Sequence, residues 1–266
     1  MNILICVKQV PDTTEIKIDP VTNTLIRAGV PSIVNPFDAY ALEIAARIKD
    51  KAPGSRIVVV SMGPPQAEAA LKECLSVGGD VAYLVSDKAF GGSDTLATSY
   101  ILSRAFSFLE EKEGKFDVIF CGKQAIDGDT AQVGPEMAEH LDLPQITYAI
   151  DAEMKDDKIL VKKQVETGIL VYEMQTPCLI TVTKTSFEPR FPSIKSKLAA
   201  SRATIGRITA DDLDIDLSMA GLKGSPTKVK KTFTPVMRKE GQLFRNEDFH
   251  TSVDSLFQIL TETRIV

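Results

Sequence analysis

The sequence has few of the residues on which histidine- or thiol-based catalysis and metal binding depend. It contains only two histidines, His140 and His250, and four widely spaced cysteines that form no CxxC pair. A Ser–His–Asp triad and a histidine- or cysteine-ligated metal site therefore have little support. The cysteines lie mostly in apolar runs, which predicts buried, reduced thiols and a cytoplasmic protein.

The sequence also lacks a long apolar run and an overall positive charge. No uncharged stretch reaches the roughly 18 residues that a membrane-spanning helix needs, and the apolar start MNILICVKQV turns polar too early for a signal peptide. The formal net charge is −5, so no general positive field attracts a phosphate backbone. We therefore expect neither membrane insertion nor nucleic-acid binding.

Two common glycine-rich motifs for nucleotides, GxGxxG and GxxxxGK[ST], are absent as well. What is present is an alternation of apolar runs, at residues 2–8, 56–62, 81–86 and 116–121, with helical patterns at about 37–51, 65–78 and 94–111. This alternation predicts an α/β fold with a doubly wound, mostly parallel sheet and flavodoxin-like layering. Alternating segments between residues 145 and 175, followed by an apolar run at 178–183, predict an antiparallel extension of the same sheet.

The second half of the chain suggests two further parts. Residues 1–209 are predicted to form the nucleotide- or flavin-binding domain, which includes a basic segment at 184–200. Residues 210–266 have little periodicity until a helix at 248–262, and we expect this arm to lie against another subunit. Near the other end, residues 16–26 (IKIDPVTNTLI) have the pattern of a hairpin beside the sheet.

The stretch CGKQAIDGDTAQVGPEMAEHL, residues 121–141, lies where an apolar strand meets an amphipathic helix. Such a junction exposes backbone N–H groups that attract an anion. We expect Gly128 to adopt torsions closed to other residues and Asp129 or Thr130 to cap the helix. The simpler alternative is an acidic cap on a surface helix, and it applies equally to Ser93 or Asp94 in the loop GGSDTLATS.

Five segments together resemble one family. VKQVPDT, VNPFDAYALE, SMGPPQAE, GKQAIDGDTAQVG and EPRFPSIKSKLAA resemble, in order and spacing, the β (small) subunit of electron-transfer flavoproteins. The resemblance implies an obligate heterodimer with an α subunit that carries a flavin in a mobile domain. It also implies an adenine-nucleotide site in this chain.

The resemblance assigns residues to that site. The adenosine part would be held after the first strand and by the NPFD and strand-end segments, and the phosphates by the backbone of residues 125–133. The implied cofactor-binding residues are Cys6, Val7, Lys8, Asn35, Met62, Gly63, Thr95, Thr98, Gly122, Ala125, Ile126, Asp127, Gly128, Asp129, Thr130, Ala131, Gln132 and Val133. By residue type alone, Cys6 and Met62 are equally suited to the core and Asn35 to a turn. Phe37 resembles the aromatic that approaches the α-subunit flavin.

Within the family, the chain resembles the electron-bifurcating group more than ordinary members. The resemblance rests on VPDT after the first strand, the long AFGGSDTLATS loop and the small Gly128 and Thr130. It implies that FAD, and not the structural AMP of ordinary members, fills the site and takes hydride from NADH. Electrons would then pass to ferredoxin or flavodoxin and, through the α-subunit FAD, to an acyl-CoA dehydrogenase or reductase.

The basic segment resembles the loop through which these flavoproteins dock on partner dehydrogenases. The implied docking residues are Arg190, Phe191, Ile194 and Lys195, since apolar anchors ringed by charge suit a small interface. A solvated basic linker is the alternative. Two other functions stay open from sequence alone: an ordinary AMP-containing β subunit and a non-redox ATP- or AMP-binding module of the same fold.

Overall fold

The computed structural model describes residues 1–12, 31–230, 241 and 248–266. These residues form two compact units, Met1–Lys230 and Lys231–Val266. The hairpin predicted at 16–26 lies outside the described residues. None of the described helices is both long and apolar enough to cross a membrane.

A nine-stranded sheet is the centre of the first unit, and a two-stranded sheet lies beside it. The large sheet has the order β11-β5-β4-β1-β6-β10-β7-β8-β9, and its first seven strands are parallel. The strands are β1 (Asn2–Cys6), β2 (Gln9–Pro11), β3 (Ser32–Val34), β4 (Arg56–Met62), β5 (Val81–Val85), β6 (Val118–Gly122), β7 (Gln145–Lys155), β8 (Lys158–Val165), β9 (Gly168–Gln175), β10 (Cys178–Val182) and β11 (Gly206–Ile208). The predicted α/β class and the mostly parallel sheet are confirmed.

Helices cover both faces of the sheet. The helices of the first unit are α1 (Pro36–Lys51), α2 (Glu68–Val77), α3 (Thr95–Glu113), α4 (Val133–His140), α5 (Ile194–Arg202) and the short α6 (Gly221–Gly224); the second unit contains α7 (Phe249–Glu262). Successive residues of a strand point to opposite faces, so Ile3 and Ile5 pack with α1 and α2, whereas Leu4 packs with α3 and α4. This two-sided burial explains why the central strands are continuous apolar runs.

The predicted antiparallel extension is also confirmed. β7 runs parallel to β10, and β8 and β9 then follow in antiparallel register. The last strand of this extension is exposed on both faces, with Ile169, Leu170, Val171 and Tyr172 each between 41% and 61% exposed. Among the described strands, β9 is therefore an apolar edge strand that pairs on one side only.

Some local expectations need correction. The second half of the basic segment 184–200 is not a loop, because residues from Ile194 onward form α5, capped by the Ser193 hydroxyl on the Ser196 N–H group. The first apolar run, residues 2–8, is longer than the strand it contains, because β1 ends at Cys6; residues 9–11 then form β2, which pairs with β3 in a separate two-stranded sheet. Residues 210–230 belong to the first compact unit, and the arm boundary at 210 stays a prediction.

Candidate functional site

The strand order reverses between β1 and β6. From β1 the chain proceeds to β4 and β5 on one side, and then returns to β6 and β10 on the other. β1 and β6 end side by side, and Cys6 lies opposite Cys121 in the register of the two strands. Open parallel sheets bind ligands beyond such a reversal, so the loops 7–12 and 123–132 border the candidate site.

Asp38, in the first turn of α1, joins these two loops. Its carboxylate accepts hydrogen bonds from the Lys8 backbone N–H (2.7 Å), the Gly122 backbone N–H (3.0 Å) and the Asn35 side-chain amide (2.9 Å). A Cβ atom on Gly122 would overlap that carboxylate. Residue 122 must therefore be glycine for the end of β6 to approach α1 so closely.

Asn35 extends this network into the loop 123–132. Its side-chain nitrogen donates to the Gln124 carbonyl (2.8 Å), and its side-chain oxygen accepts from the Ile126 N–H (3.2 Å). The Asn35 side chain is buried, and all of these bonds are to the protein. The structure thus places Asn35 as a residue that shapes the loop.

Burial raises the pKa of Asp38 to about 7, against the opposing effect of its hydrogen bonds to Asn35, Lys8 and Gly122. A pKa above the unfolded value of about 3.8 gives stability that is present below pH 4 and is lost as the pH rises toward 7. We expect Asp38→Asn to abolish this dependence. The stability advantage of the wild type over the variant should shrink by up to about 1.4 kcal/mol per pH unit between pH 5 and 6.5.

Urea unfolding of the purified heterodimer at pH 5, 6, 7 and 8 measures the difference in unfolding free energy between wild type and Asp38→Asn. A difference that grows with pH would show that the three hydrogen bonds to the carboxylate outweigh its burial. Asn offers the same shape but places an NH₂ group opposite a backbone N–H, so the variant should be less stable at every pH.

The loop 123–132 folds back on itself before α4. The N–H groups of Gly128 and Asp129 both donate to the Ala125 carbonyl, at 3.3 and 2.9 Å. Asp129 and Ala131 adopt left-handed torsions, with φ of 57° and 55°. Gly128 does not, so our expectation about its torsions was wrong; an added Cβ on Gly128 would meet nothing within 4 Å and would extend into open space.

The start of α4 provides the free donors of this site. The helix begins at Val133, and its N-cap residue is Gln132 without a side-chain capping bond, so the predicted cap by Asp129 or Thr130 is wrong. The N–H groups of residues 130–134 have no acceptor among the described residues. Several adjacent free N–H groups at a helix N-terminus are suited to bind a phosphate.

The N-terminus of α3 is different, because a side-chain carboxylate caps it. The Asp94 carboxylate caps this helix at the Ala97 N–H, which is the simpler alternative given above for this loop, and also accepts from the Thr227 N–H and hydroxyl. Thr95 lies at the start of α3 and its hydroxyl contacts Gln132 and Glu136 of the α4 region, while Thr98 lies one turn further along. The loop before α3 is therefore already capped by a carboxylate, and the loop before α4 is the better candidate for an anion site.

A cavity of about 170 Å³ opens beside the same loop. Lys8, Met62, Gly63 and Asp127 of the predicted set line it, together with β2 and β3 residues and Pro64. The Lys8 ammonium pairs with the Asp127 carboxylate across the two loops at 2.6 Å. Asp127 thus holds the loop by an ion pair, as a loop-shaping residue would.

Cys6 and Val7 contribute little exposed surface. Cys6 is 9% exposed, its sulfur lies 3.9 Å from the Met137 sulfur, and the Val7 N–H donates to the Val60 carbonyl. All four cysteines are buried and unpaired, as expected. Any contact of Cys6 or Val7 with a ligand would therefore come mainly from the backbone.

The predicted docking residues differ in their exposure to solvent. Arg190 lies against α1, where its guanidinium contacts Glu43 (2.8 Å) and Asp50 (2.9 Å). Arg47 stacks over the Phe187 ring at 3.9 Å and adds to this attachment. Phe191 and Ile194 are 94% and 91% exposed and Lys195 is also exposed, so a firmly attached segment presents two apolar side chains to solvent.

Sequence reasoning missed Asp38, which joins the loops on both sides of the strand reversal. The available signal was its position in the first turn of a helix that follows a strand end. It also missed Lys123, which follows β6 directly and whose ammonium lies near the rings of Phe37 and Tyr148.

The fold and the site together define a class of protein. A doubly wound sheet whose strand-end loop offers backbone N–H groups without an acceptor among the described residues is typical of α/β proteins that bind phosphate-bearing ligands. Residues 22–213 match the electron transfer flavoprotein domain. The chain belongs to the electron transfer flavoprotein family, as a β subunit.

Its relatives extend over the whole chain. It is 49% identical to the electron transfer flavoprotein subunit beta of Thermoanaerobacterium thermosaccharolyticum and 50% identical to that of Megasphaera elsdenii, in both cases over 100% of each chain. It is 45% identical, again over 100% of both chains, to the caffeyl-CoA reductase-Etf complex subunit CarD of Acetobacterium woodii. A β subunit implies an α-subunit partner.

Proposed function

We propose that this β subunit binds FAD and accepts hydride from NADH in an electron-bifurcating heterodimer. Electrons then divide between a low-potential acceptor, ferredoxin or flavodoxin, and the α-subunit FAD, which delivers them to an acyl-CoA dehydrogenase or reductase. The observation that supports the nucleotide part is the set of N–H groups at residues 130–134, which have no acceptor within the described part of the chain, beside the open space at Gly128. These groups suit a diphosphate.

In this proposal, the residues of this chain bind the nucleotide and hold it in position. The α4 N-terminus and loop 123–132 hold the phosphates, and the Asp38–Asn35 network keeps the loop in place. The cavity next to Lys8, Met62 and Gly63 takes another part of the nucleotide. The flavin supplies the hydride and electron chemistry when bound, and the protein sets its position and surroundings.

Small side chains support FAD over AMP at this site. Gly128, Thr130 and Ala131 follow one another closely in the loop. A Cβ atom added to Gly128 would meet no atom within 4 Å, so the space beside this residue is open. The relative from Acetobacterium woodii, whose name places it in a caffeyl-CoA reductase complex, supports an acyl-CoA reductase as the partner.

Cofactor counting on the purified heterodimer tests the proposal. Acid release followed by chromatography should give two FAD and no AMP per heterodimer, and NADH should bleach the flavin absorbance. One FAD and one AMP would instead identify an ordinary β subunit, and a chain with ATP or AMP and no flavin partner would identify a non-redox module.

The chain should be prone to aggregation when produced without the α subunit. The exposed apolar edge β9, with no proline and with its one charge, Glu173, paired to Lys158, lacks the usual protection against pairing with another chain. Size-exclusion chromatography of the chain alone and co-expressed with the α subunit measures this. A stable, monodisperse monomer that binds no second flavoprotein chain would contradict it.

A further inference from the structure

A second cavity lies against α3 and α4, on the face of the sheet opposite to α1 and α2. Its volume is about 370 Å³, and no acidic side chain lines it. The side chains that line it include Leu96, Tyr100, His140, Met219 and Lys223, which we call the α6 surface. None of these five residues belongs to the predicted nucleotide site or to the basic segment 184–200.

The segment that carries Lys223 is held firmly on the first compact unit. The Ser225 hydroxyl donates to the Gly221 carbonyl at 2.7 Å and accepts the Asp94 N–H at 2.9 Å. The Thr227 N–H donates to the Asp94 carboxylate at 3.0 Å. A Cβ atom on Gly221 would overlap the Ala89 carbonyl oxygen, so α6 lies directly on the loop before α3. A surface fixed in this way loses little conformational entropy when a partner binds.

The rim of the cavity exposes apolar side chains. Leu96 and Met219 are 41% and 45% exposed, and their neighbours Leu217 and Leu222 are 48% and 63% exposed. The His140 ring meets an aromatic ring of α3 edge to face, with the two ring centres 5.8 Å apart. Exposed apolar side chains that are grouped together and bordered by polar ones are typical of a protein–protein interface.

The charges around the cavity favour an acidic partner. Lys223 is exposed and forms no ion pair with another described residue, and the Arg104 guanidinium lies 5.2 Å from the centre of the α3 aromatic ring. The acidic run 211–216 precedes the cavity in the chain, and two of its carboxylates, those of Asp212 and Asp216, accept backbone N–H groups. Basic residues at the cavity and acidic residues before it would attract an acidic partner in one orientation and disfavour others.

The two helices α3 and α4 connect the α6 surface to the candidate nucleotide site. Leu96 follows Thr95, whose hydroxyl lies 3.2 Å from the side-chain oxygen of Gln132, the residue before α4. α4 has eight residues between the unbonded N–H groups and His140, and its length is therefore about 12 Å at 1.5 Å per residue. A partner on the α6 surface would thus lie within about one short helix of the phosphate site.

We propose that the α6 surface docks the low-potential acceptor, a small acidic electron-carrier protein that takes one electron at a time. The inference rests on the proposed function, because the electron comes from the flavin bound to this chain. In this step the carrier gains one electron, the reduced flavin loses it, and no atom is transferred. The inference goes beyond the proposed function by assigning the carrier its own binding surface.

The two acceptors then dock on opposite faces of the sheet. The basic segment ends in α5, which contacts α2, whereas α6 contacts α3. The helices α1 and α2 cover one face and α3 and α4 the other. Both acceptors can therefore be bound at once without competing for the same residues.

The first test is NADH-dependent reduction of a bacterial ferredoxin by the heterodimer, in the presence of the acyl-CoA partner and its substrate. Lys223→Glu should lower kcat/KM for ferredoxin about tenfold at low ionic strength, and the loss should shrink with added salt. The kcat/KM for the acyl-CoA partner should not change, whereas Lys195→Glu should show the reverse pattern. Lys115→Glu is the control for net charge. An equal loss in Lys115→Glu, or no loss in Lys223→Glu, would overturn the proposal.

The second test adds a charge at the same surface. Ser218 lines the cavity, is exposed, and its hydroxyl has no hydrogen bond to another described residue, so Ser218→Lys should fold normally. It should raise kcat/KM for ferredoxin several-fold at low ionic strength, which a purely structural role of this surface does not predict. An unchanged or lower value would overturn the proposal.

Flavins and subunits are counted before either test. A wild-type heterodimer with one FAD and one AMP would overturn the proposed function and this inference together. A two-flavin heterodimer that reduces ferredoxin equally well in wild type and both variants would overturn the inference alone. Loss of the α subunit from Lys223→Glu would place the α6 surface in the contact between the subunits and would also overturn it.

Discussion

Gly128→Val should remove one of the two flavins proposed for the heterodimer and leave the α-subunit flavin in place. The side chain added at residue 128 would extend into open space, where the diphosphate of FAD is proposed to lie against the N–H groups of residues 130–134. NADH-dependent reduction should be lost with that flavin. Because the variant lacks the hydride acceptor itself, added NADH should not restore the reaction. The measurement is the number of FAD molecules per heterodimer with the rate of flavin bleaching by NADH.

The structure makes this a test of binding and not of folding. Residue 128 has no left-handed torsion and no atom within 4 Å of an added Cβ, so valine should be accommodated in the protein without ligand. Gly128→Ala is the matched control and should retain most of the FAD. Asp127→Asn removes the ion pair to Lys8 and should weaken retention only in part, because Asn35 still holds the loop. A Gly128→Val heterodimer with two flavins would show that this loop is not the phosphate site.

Sequence reasoning succeeds here where the signal is local. The central strands are apolar runs because both faces are buried, and the loop after β6 is recognisable because glycine and aspartate cluster where a strand meets a helix. Asp94 is likewise a local signal, since a capping carboxylate serves the N–H group three residues on. Such features depend on a few adjacent residues, and the sequence contains them in full.

The parts that escaped sequence reasoning depend on distant residues. Asp38 and Gly122 are 84 positions apart, and Asn35 and Ile126 are 91 apart. Whether a carboxylate in a helix's first turn caps that helix or joins two loops is decided only when the sheet assembles. The left-handed backbone of Tyr148, with φ of 61°, has the same origin, because it lies where the register of β7 shifts against the distant strand β10.

The basic segment lies between these two cases, because its helix is a local feature whereas the contacts of Arg190 are with distant residues. Its charge conceals the helix α5, since lysines and arginines resemble a solvated linker in composition although they favour helix. Arg190 was grouped with Ile194 as a docking residue, yet it lies against Glu43 and Asp50. An arginine that contacts two carboxylates of α1 holds the segment in position, and the exposed side chains beside it remain for a partner.

Ile194→Asp should therefore slow electron delivery to the proposed acyl-CoA-reducing partner at least about tenfold, because an exposed apolar anchor is replaced by a charge. Flavin content and the unfolding midpoint should be unchanged, since the side chain is 91% exposed. Arg190→Glu should behave differently: it places a third carboxylate beside Glu43 and Asp50, so it should lower the unfolding midpoint as well as the rate.

Lys195→Glu distinguishes long-range electrostatic attraction of the partner from direct contact with it. Its effect on the second-order rate constant should be largest at low ionic strength and should shrink with added salt, whereas that of Ile194→Asp should persist. Lys115→Glu is the control for net charge, because Lys115 is exposed and precedes β6 at the opposite edge of the sheet from the site. Stopped-flow rates with the partner at two salt concentrations give the answer. If Lys115→Glu slows transfer as much as Lys195→Glu, net charge explains the effect; if Ile194→Asp is as fast as wild type, the exposed residues of α5 do not dock.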